Sequence, residues 1–245
     1  MSLSIEHLQR TYGAFTAVED LSFTVAGGEI VGLIGPNGAG KTTTLRTLAG
    51  ILRPTAGIVR IDDFDLVAAP LEAKRRLAFM PDEPHLFDYL TVQEHLRLVG
   101  RLYGVEDFDR RARALLDELE LAGKERALPG ELSRGMRQKV VIACGLVRPA
   151  TTLLFDEPLT GLDPIGIRRM RETILARARA GAAILLSSHL LHLVEEICTR
   201  VIVMDRGRKI ADGTVAELAT RADLAAAGSS LEQIFLRVTG HDATT

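Results

Sequence analysis

The run Gly35-Pro36-Asn37-Gly38-Ala39-Gly40-Lys41-Thr42-Thr43 stands between an apolar stretch, Ile30 to Ile34, and a helical pattern carrying Leu45, Leu48 and Ala49. A strand that breaks into a glycine loop and then a helix makes an anion cradle, because the loop N–H groups and the positive helix end point at one place. Gly35, Gly38 and Gly40 let the backbone bend and come close to a ligand. In such a cradle Lys41 reaches β- and γ-phosphates and the Thr42 hydroxyl ligands Mg²⁺.

Three further predicted strands end in polar residues. Leu77 to Met80 runs into Pro81-Asp82-Glu83-Pro84, Thr152 to Phe155 into Asp156-Glu157-Pro158, and Ala183 to Leu186 into Ser187-Ser188-His189. In an open parallel sheet, ligands sit beyond the carboxyl ends of the strands, so these endings predict a single site with the cradle. Asp156 emerges at the sheet edge, where a carboxylate holds Mg²⁺ directly or through water. Strand alternation turns Glu157 to a different side, toward an attacking water it can polarise as a base. An Asp-Glu pair at a strand end is by itself often only solvated charge; the upstream cradle gives this one its chemistry. His189 can donate to a γ-phosphate from its position, although on residue type alone it reads as a packed histidine. Tyr12, just before Gly13, either holds its ring over a flat ligand or packs at a sheet edge.

The elements that must position these groups follow from periodicity. Leu3 to His7 and Leu21 to Val25 alternate as antiparallel strands, with a hairpin turn expected at Gly27-Gly28. A helix from Lys41 to Ala49 stops at Gly50, and Ile58 to Ile61 is a short strand. From His85 to Val147 the pattern is helical: Thr91 and Glu94 form a capping box, Asp109 starts a second helix, and Ser133 caps a third. Beyond it strands and helices alternate as in parallel α/β units, with Asp163-Pro164 opening a long helix to Ala180. A last amphipathic helix places Leu231, Ile234, Phe235 and Val238 on one face, packed on its own domain. Leu86, Phe87 and Tyr89 form an apolar cluster that is either core of the helical block or a docking surface.

The net charge of -2 argues against a general nucleic-acid binder. No apolar run approaches the ~20 residues that cross a bilayer, and the N-terminus has no signal-peptide pattern. Cys144 and Cys198 lie in apolar helical patterns without a C-x-x-C partner and read as buried thiols in a reducing compartment.

Taken in order, the loop GPNGAGKTT, the segment LSRGMRQK, the run LLFDEPLTGLDP and the tripeptide SSH resemble the motifs of an ATP-binding cassette domain, over about Leu3 to Thr214. The resemblance implies an α/β P-loop NTPase fold of RecA-like type: a mostly parallel sheet with an N-terminal antiparallel β subdomain and an inserted α-helical subdomain. It implies one cassette over 1–245, with 1–84 and 148–245 as the ATP-binding core and 85–147 as the helical signature subdomain. ATP and Mg²⁺ are the implied cofactors. Tyr12 matches the adenine-stacking aromatic, Gly35 to Thr43 the phosphate loop, and Asp156 and Glu157 the metal residue and catalytic base. Ser133, Arg134 and Gly135 match the signature that touches the γ-phosphate bound to a partner, Asp163 the dimer-interface loop, and His189 the switch histidine.

Two departures stand out. The elbow carries Asp82 where the family usually has glutamine; it can still ligand Mg²⁺ and serve the catalytic site, but adds negative charge. The signature reads LSRGM rather than LSGGQ. Such departures, and the SLEQIFLRVTG tail, resemble the ABC-2 export group. The implied protein is an ATPase that pairs head to tail with a second cassette, expected to be its own copy. It drives an integral membrane permease from the cytoplasmic face and takes no nucleic acid. The alternative is a soluble cassette in assembly or maintenance work. A small-molecule phosphotransferase would leave the signature unexplained.

Overall fold

The computed structural model describes residues 2–222 and 230–240. Strands β1 (Ser2–Tyr12) and β2 (Phe15–Ala26) form an antiparallel hairpin. Its corner is at Gly13, which takes the left-handed conformation with φ 57, and not at Gly27-Gly28 as the alternation predicted. Bulges explain the difference: the β1–β2 register shifts between Ile5 and Leu8 and again near Arg10, and His7 sits at φ 51. Each shift adds a residue, so the period of two is lost while the strand continues. Gly28 (φ 85) instead turns the chain out of the hairpin into β3 (Ile30–Ile34), a strand of a different sheet. Strands β4 (Ala56–Ile61) and β5 (Phe64–Asp65) complete the antiparallel sheet in the order β2-β1-β4-β5.

The second sheet has six strands. Parallel β3, β6 (Leu77–Met80), β7 (Thr152–Asp156), β8 (Ala183–Ser187) and β9 (Arg200–Asp205) are joined at one edge by antiparallel β10 (Arg208–Gly213). The order is β10-β9-β3-β8-β7-β6. Every residue of β3, β7 and β8 is buried, as expected of strands covered on both faces. Alternate residues feed two cores. Val31, Leu33, Leu154 and Leu185 pack toward the antiparallel sheet and helix α1 (Lys41–Leu48). Ile30, Ile34, Phe155 and Leu186 pack toward the helices on the other face.

Helix α2 (Pro70–Arg76) leads into β6, and the chain then enters a helical block made of α3 (Val92–Leu102), α4 (Phe108–Glu118) and α5 (Arg134–Leu146). Thr91 and Glu94 make the expected capping box. Helix α4 begins one residue before Asp109, with Asp107 as its cap. The Met136 N–H donates to Ser133 Oγ at 3.2 Å, so Ser133 caps α5. Helix α5 packs on β6, α3 and α4, which ties the block to the edge of the parallel sheet.

After β7 come α6 (Pro164–Arg179), capped by Asp163, and α7 (Leu191–Ile197). Helices α8 (Val215–Arg221) and α9 (Leu231–Thr239) close the described chain. Leu231 and Ile234 are fully buried, and Phe235 and Val238 lie against the same core, so the apolar stripe of α9 is spent within its own chain. Cys144 and Cys198 pack against that core too. Burial pushes the Cys144 thiol up to about 12 and raises that of Cys198 as well, leaving both protonated and unreactive at neutral pH.

Candidate functional site

Because β3, β8, β7 and β6 are parallel neighbours, their carboxyl ends share one rim. A cavity of about 430 Å³ opens there, lined by Asn37 to Thr43 from the glycine loop, Asp82 from β6, Glu157 from β7 and His189 from β8, with Phe15, Ala17 and Thr160. Four segments distant in sequence thus meet, as their strand-end positions predicted.

The loop owes its path to close backbone approach. A Cβ on Gly40 (φ 101) would lie 2.5 Å from the Ala17 carbonyl oxygen, and one on Gly35 would lie 2.3 Å from that of Met204. Lys41 Nζ donates to the carbonyl oxygens of Gly35 (2.6 Å) and Pro36 (3.1 Å), folding the side chain back over its own loop. Burial lowers the Lys41 pKa, and the carboxylates of Glu157 and Asp156 oppose that shift. A half-buried ammonium at the mouth of a helix N-terminus is an anion-binding group, here held by two carbonyl oxygens of its own loop.

Asp156 is the last residue of β7 and is 2% exposed. Ser187 Oγ donates to its Oδ1 at 2.7 Å and Thr42 Oγ1 at 3.3 Å. Burial raises its pKa, the two hydroxyls oppose the shift, and the nearby Asp82 charge adds to it. Asp82 Oδ1 is buried without a hydrogen-bond partner. Thr42, Asp156 and Asp82 therefore offer hard oxygen donors, one of them unsatisfied, beside a phosphate cradle, and this donor set fits Mg²⁺. No group of three or more His, Cys, Asp or Glu side chains among the described residues is arranged to hold a metal alone.

Glu157 lies beyond the strand, at φ 50. Its direction is therefore set by a left-handed backbone and not by strand alternation, which corrects the expectation. A non-glycine residue there costs about 1–3 kcal/mol and persists only when its surroundings hold it. Here they do. The Glu157 N–H donates to the Ser187 carbonyl oxygen (3.2 Å) and Oγ (3.1 Å), while the His189 N–H donates to Glu157 Oε2 at 3.2 Å. His189 Nδ1 lies 2.8 Å from the same oxygen, within reach to donate to the carboxylate.

Eight expected residues are not in the cavity lining: Gly35, Pro36 and Asp156, described above beside it, and Tyr12, Ser133, Arg134, Gly135 and Asp163. Tyr12 is at the hairpin tip with the Arg10 guanidinium 4.4 Å above its ring. Its cross-strand partner Phe15 lines the cavity and is 65% exposed. Ser133, Arg134 and Gly135 stand at the start of α5, where a Cβ on Gly135 would come within 2.8 Å of the Gly161 carbonyl oxygen. Arg134 Nη2 is 3.9 Å from Asp82 Oδ1. Asp163 accepts the Gly166 N–H at 2.8 Å, a helix cap. Sequence reasoning missed Phe15, Thr160 and the Asp156-anchoring role of Ser187. The available signals were an aromatic directly across the turn from Tyr12 and a hydroxyl ending a wholly apolar strand.

Residues 18–160 match the sequence profile of a family described as ABC transporter. The chain is 33% identical to the ABC-type transporter ATP-binding protein EcsA of Bacillus subtilis (strain 168), over 98% of this chain and 98% of that protein. It is 38% identical to the Nod factor export ATP-binding protein I of Paraburkholderia xenovorans (strain LB400), over 89% of this chain and 72% of that protein. A solved ATP-binding subunit of an ABC transporter superposes with a TM-score of 0.93 at 35% identity, over 98% of this chain and 100% of that one.

Proposed function

This chain belongs to the ABC transporter family as an ATP-binding subunit with ATPase activity, and on that premise we propose that two copies close head to tail around two ATP molecules and drive a separate membrane permease in the direction of export. The observation that carries the reading is the convergence of Lys41, Thr42, Asp82, Glu157 and His189 on one cavity, while the capped N-terminus of α5 stands outside it. That second anion-seeking terminus needs a phosphate from another subunit.

In this reading the loop N–H groups from Gly38 to Thr43 and the α1 terminus bind the β- and γ-phosphates. Lys41 exchanges its carbonyl partners for phosphate oxygens. Thr42 and Asp156 would hold Mg²⁺, with Asp82 as a further oxygen donor, and a bound ion would supply neutralisation of charge on the phosphoryl group. Phe15 and Tyr12 give the base an aromatic edge. Glu157 accepts a proton from the water whose oxygen attacks the γ-phosphorus, the β–γ bridging bond breaks, and ADP takes the electron pair. His189, hydrogen-bonded to Glu157, aligns that carboxylate until the γ-phosphate arrives. Ser133, Arg134 and Gly135 meet the partner's γ-phosphate, and Asp163 lies on the shared face.

The permease surface is the groove lined by Leu86, Phe87, His95, Leu98, Val99 and Tyr103. Leu86 packs on the core, while Phe87 and Tyr89 are 64% and 92% exposed and are the side chains that this reading gives to the permease. No helix among the described residues is long and apolar enough to cross a membrane; in this reading the permease does the spanning. Placement at the inner membrane face follows from that partner. The export direction is supported by similarity to a relative whose name states Nod factor export.

Glu157→Gln lowers turnover by about 100-fold or more, as loss of an acid–base group does, and leaves ATP bound. Gel filtration of that variant with ATP and Mg²⁺ gives a dimer; a nucleotide-loaded monomer at every concentration would sink the sandwich. Detergent extraction of the native complex recovers an integral membrane partner, and a chain that never sediments with one argues for a non-transport role.

A further inference from the structure

The two departures from the family pattern, Asp82 and Arg134, face each other. Arg134 Nη2 lies 3.9 Å from Asp82 Oδ1, the carboxylate oxygen that is buried and accepts no hydrogen bond. Both side chains keep partial exposure, 60% for Arg134 and 45% for Asp82. A neighbouring hydrogen bond keeps the two elements together. One turn further along α5, Gln138 Nε2 donates to the Pro81 carbonyl oxygen at 2.9 Å, from a side chain that is almost wholly buried. Residues 134 and 138 share a helix face, so α5 grips the elbow at Pro81 and Asp82 together.

Charge explains why the pair belongs together. Arg134 opens α5, whose first turn has no acidic residue, and a cation at a helix N-terminus is unfavourable unless an anion compensates it. Asp82 supplies that anion. Conversely, Asp82 lines the cavity that takes a triphosphate, where an unscreened carboxylate repels the ligand. Arg134 supplies the screen.

Resting on the reading that this cavity binds ATP, we propose that Arg134 acts within its own chain as the counter-charge of Asp82, strengthening the monomer's hold on ATP, before it turns to a partner's nucleotide. The guanidinium has two anions to serve in succession: the Asp82 carboxylate while the chain is alone and a γ-phosphate when a second copy closes. A role for Arg134 solely across the dimer interface predicts no effect on a monomer; this one does.

The test is ATP binding to dilute, monomeric protein in EDTA, followed by fluorescence of a labelled ATP, so that neither metal ligation nor dimerisation contributes. Arg134→Gln weakens binding by about 2–5-fold, the range of an exposed ion pair. Asp82→Asn in the same chain restores affinity to the wild-type value or better, and the Arg134→Gln defect shrinks as salt rises from low to high. Unchanged monomer affinity in Arg134→Gln, or a defect that Asp82→Asn does not rescue in a variant with a native melting curve, overturns the proposal. Lys41→Ala serves as the separate control: if it too leaves affinity unchanged, the phosphate-cradle reading is what has failed.

Discussion

The rim of the parallel sheet and the start of α5 are both anion-seeking regions, yet they are built differently. At the rim, most polar groups have hydrogen-bond partners within the chain, Asp156 with Ser187 and Thr42, Glu157 with Ser187 and His189, and Lys41 with its own loop carbonyls, while Asp82 Oδ1 has none. At α5, Ser133 and Gly135 are spent on the helix and its neighbour, and Arg134 makes a long contact to Asp82. A pre-organised site loses little on binding, whereas a half-built one needs its second half from elsewhere. The contrast underlies the proposal that one chain binds nucleotide and needs a partner to turn it over.

Three substitutions break or sharpen that contrast. Lys41→Ala acts on the rim alone and gives the largest effect: nucleotide affinity falls by about 100-fold, as expected for losing a charge-assisted contact to phosphate in a half-buried site. Titration of the monomer with labelled ATP measures it, and near-normal binding would remove Lys41 from the site. Ser133→Ala acts on α5 alone. Monomer affinity stays within twofold while ATP-driven dimerisation and turnover fall about 10-fold, with a loss of about 1 kcal/mol in stability from the missing cap. Equal losses in monomer binding and dimerisation would erase the distinction between the regions. Phe15→Ala gives the smallest change, raising the KM for ATP by about 3–5-fold without altering kcat, because ring burial against a base adds binding but no transition-state contact. A kcat defect in that variant would place Phe15 nearer the chemistry than its position at the cavity wall suggests.

Much of the rim could be read directly from the chain. The glycine loop, the Asp156-Glu157 pair and His189 each close a short buried strand, and short-range pattern is what periodicity reports. Misreadings arose where a local rule met a non-local one. The β1 bulges hid the true hairpin corner at Gly13. The left-handed backbone at Glu157 replaced strand alternation, because contacts from Ser187 and His189 outweigh the conformational cost. Phe15 escaped notice since cross-strand pairing, not sequence spacing, brings it beside the glycine loop.

By itself the sequence determined which residues can do chemistry and which strand or helix carries each of them, since glycine turns, caps and apolar runs act within a few residues. Only the tertiary structure decided that β3, β8, β7 and β6 lie side by side, that Glu157 points by virtue of a left-handed turn, and that Asp82 meets Arg134. These are contacts between segments far apart in the chain, chosen by the burial of whole strand faces and by charges brought together across the fold, and no window of adjacent residues contains that information.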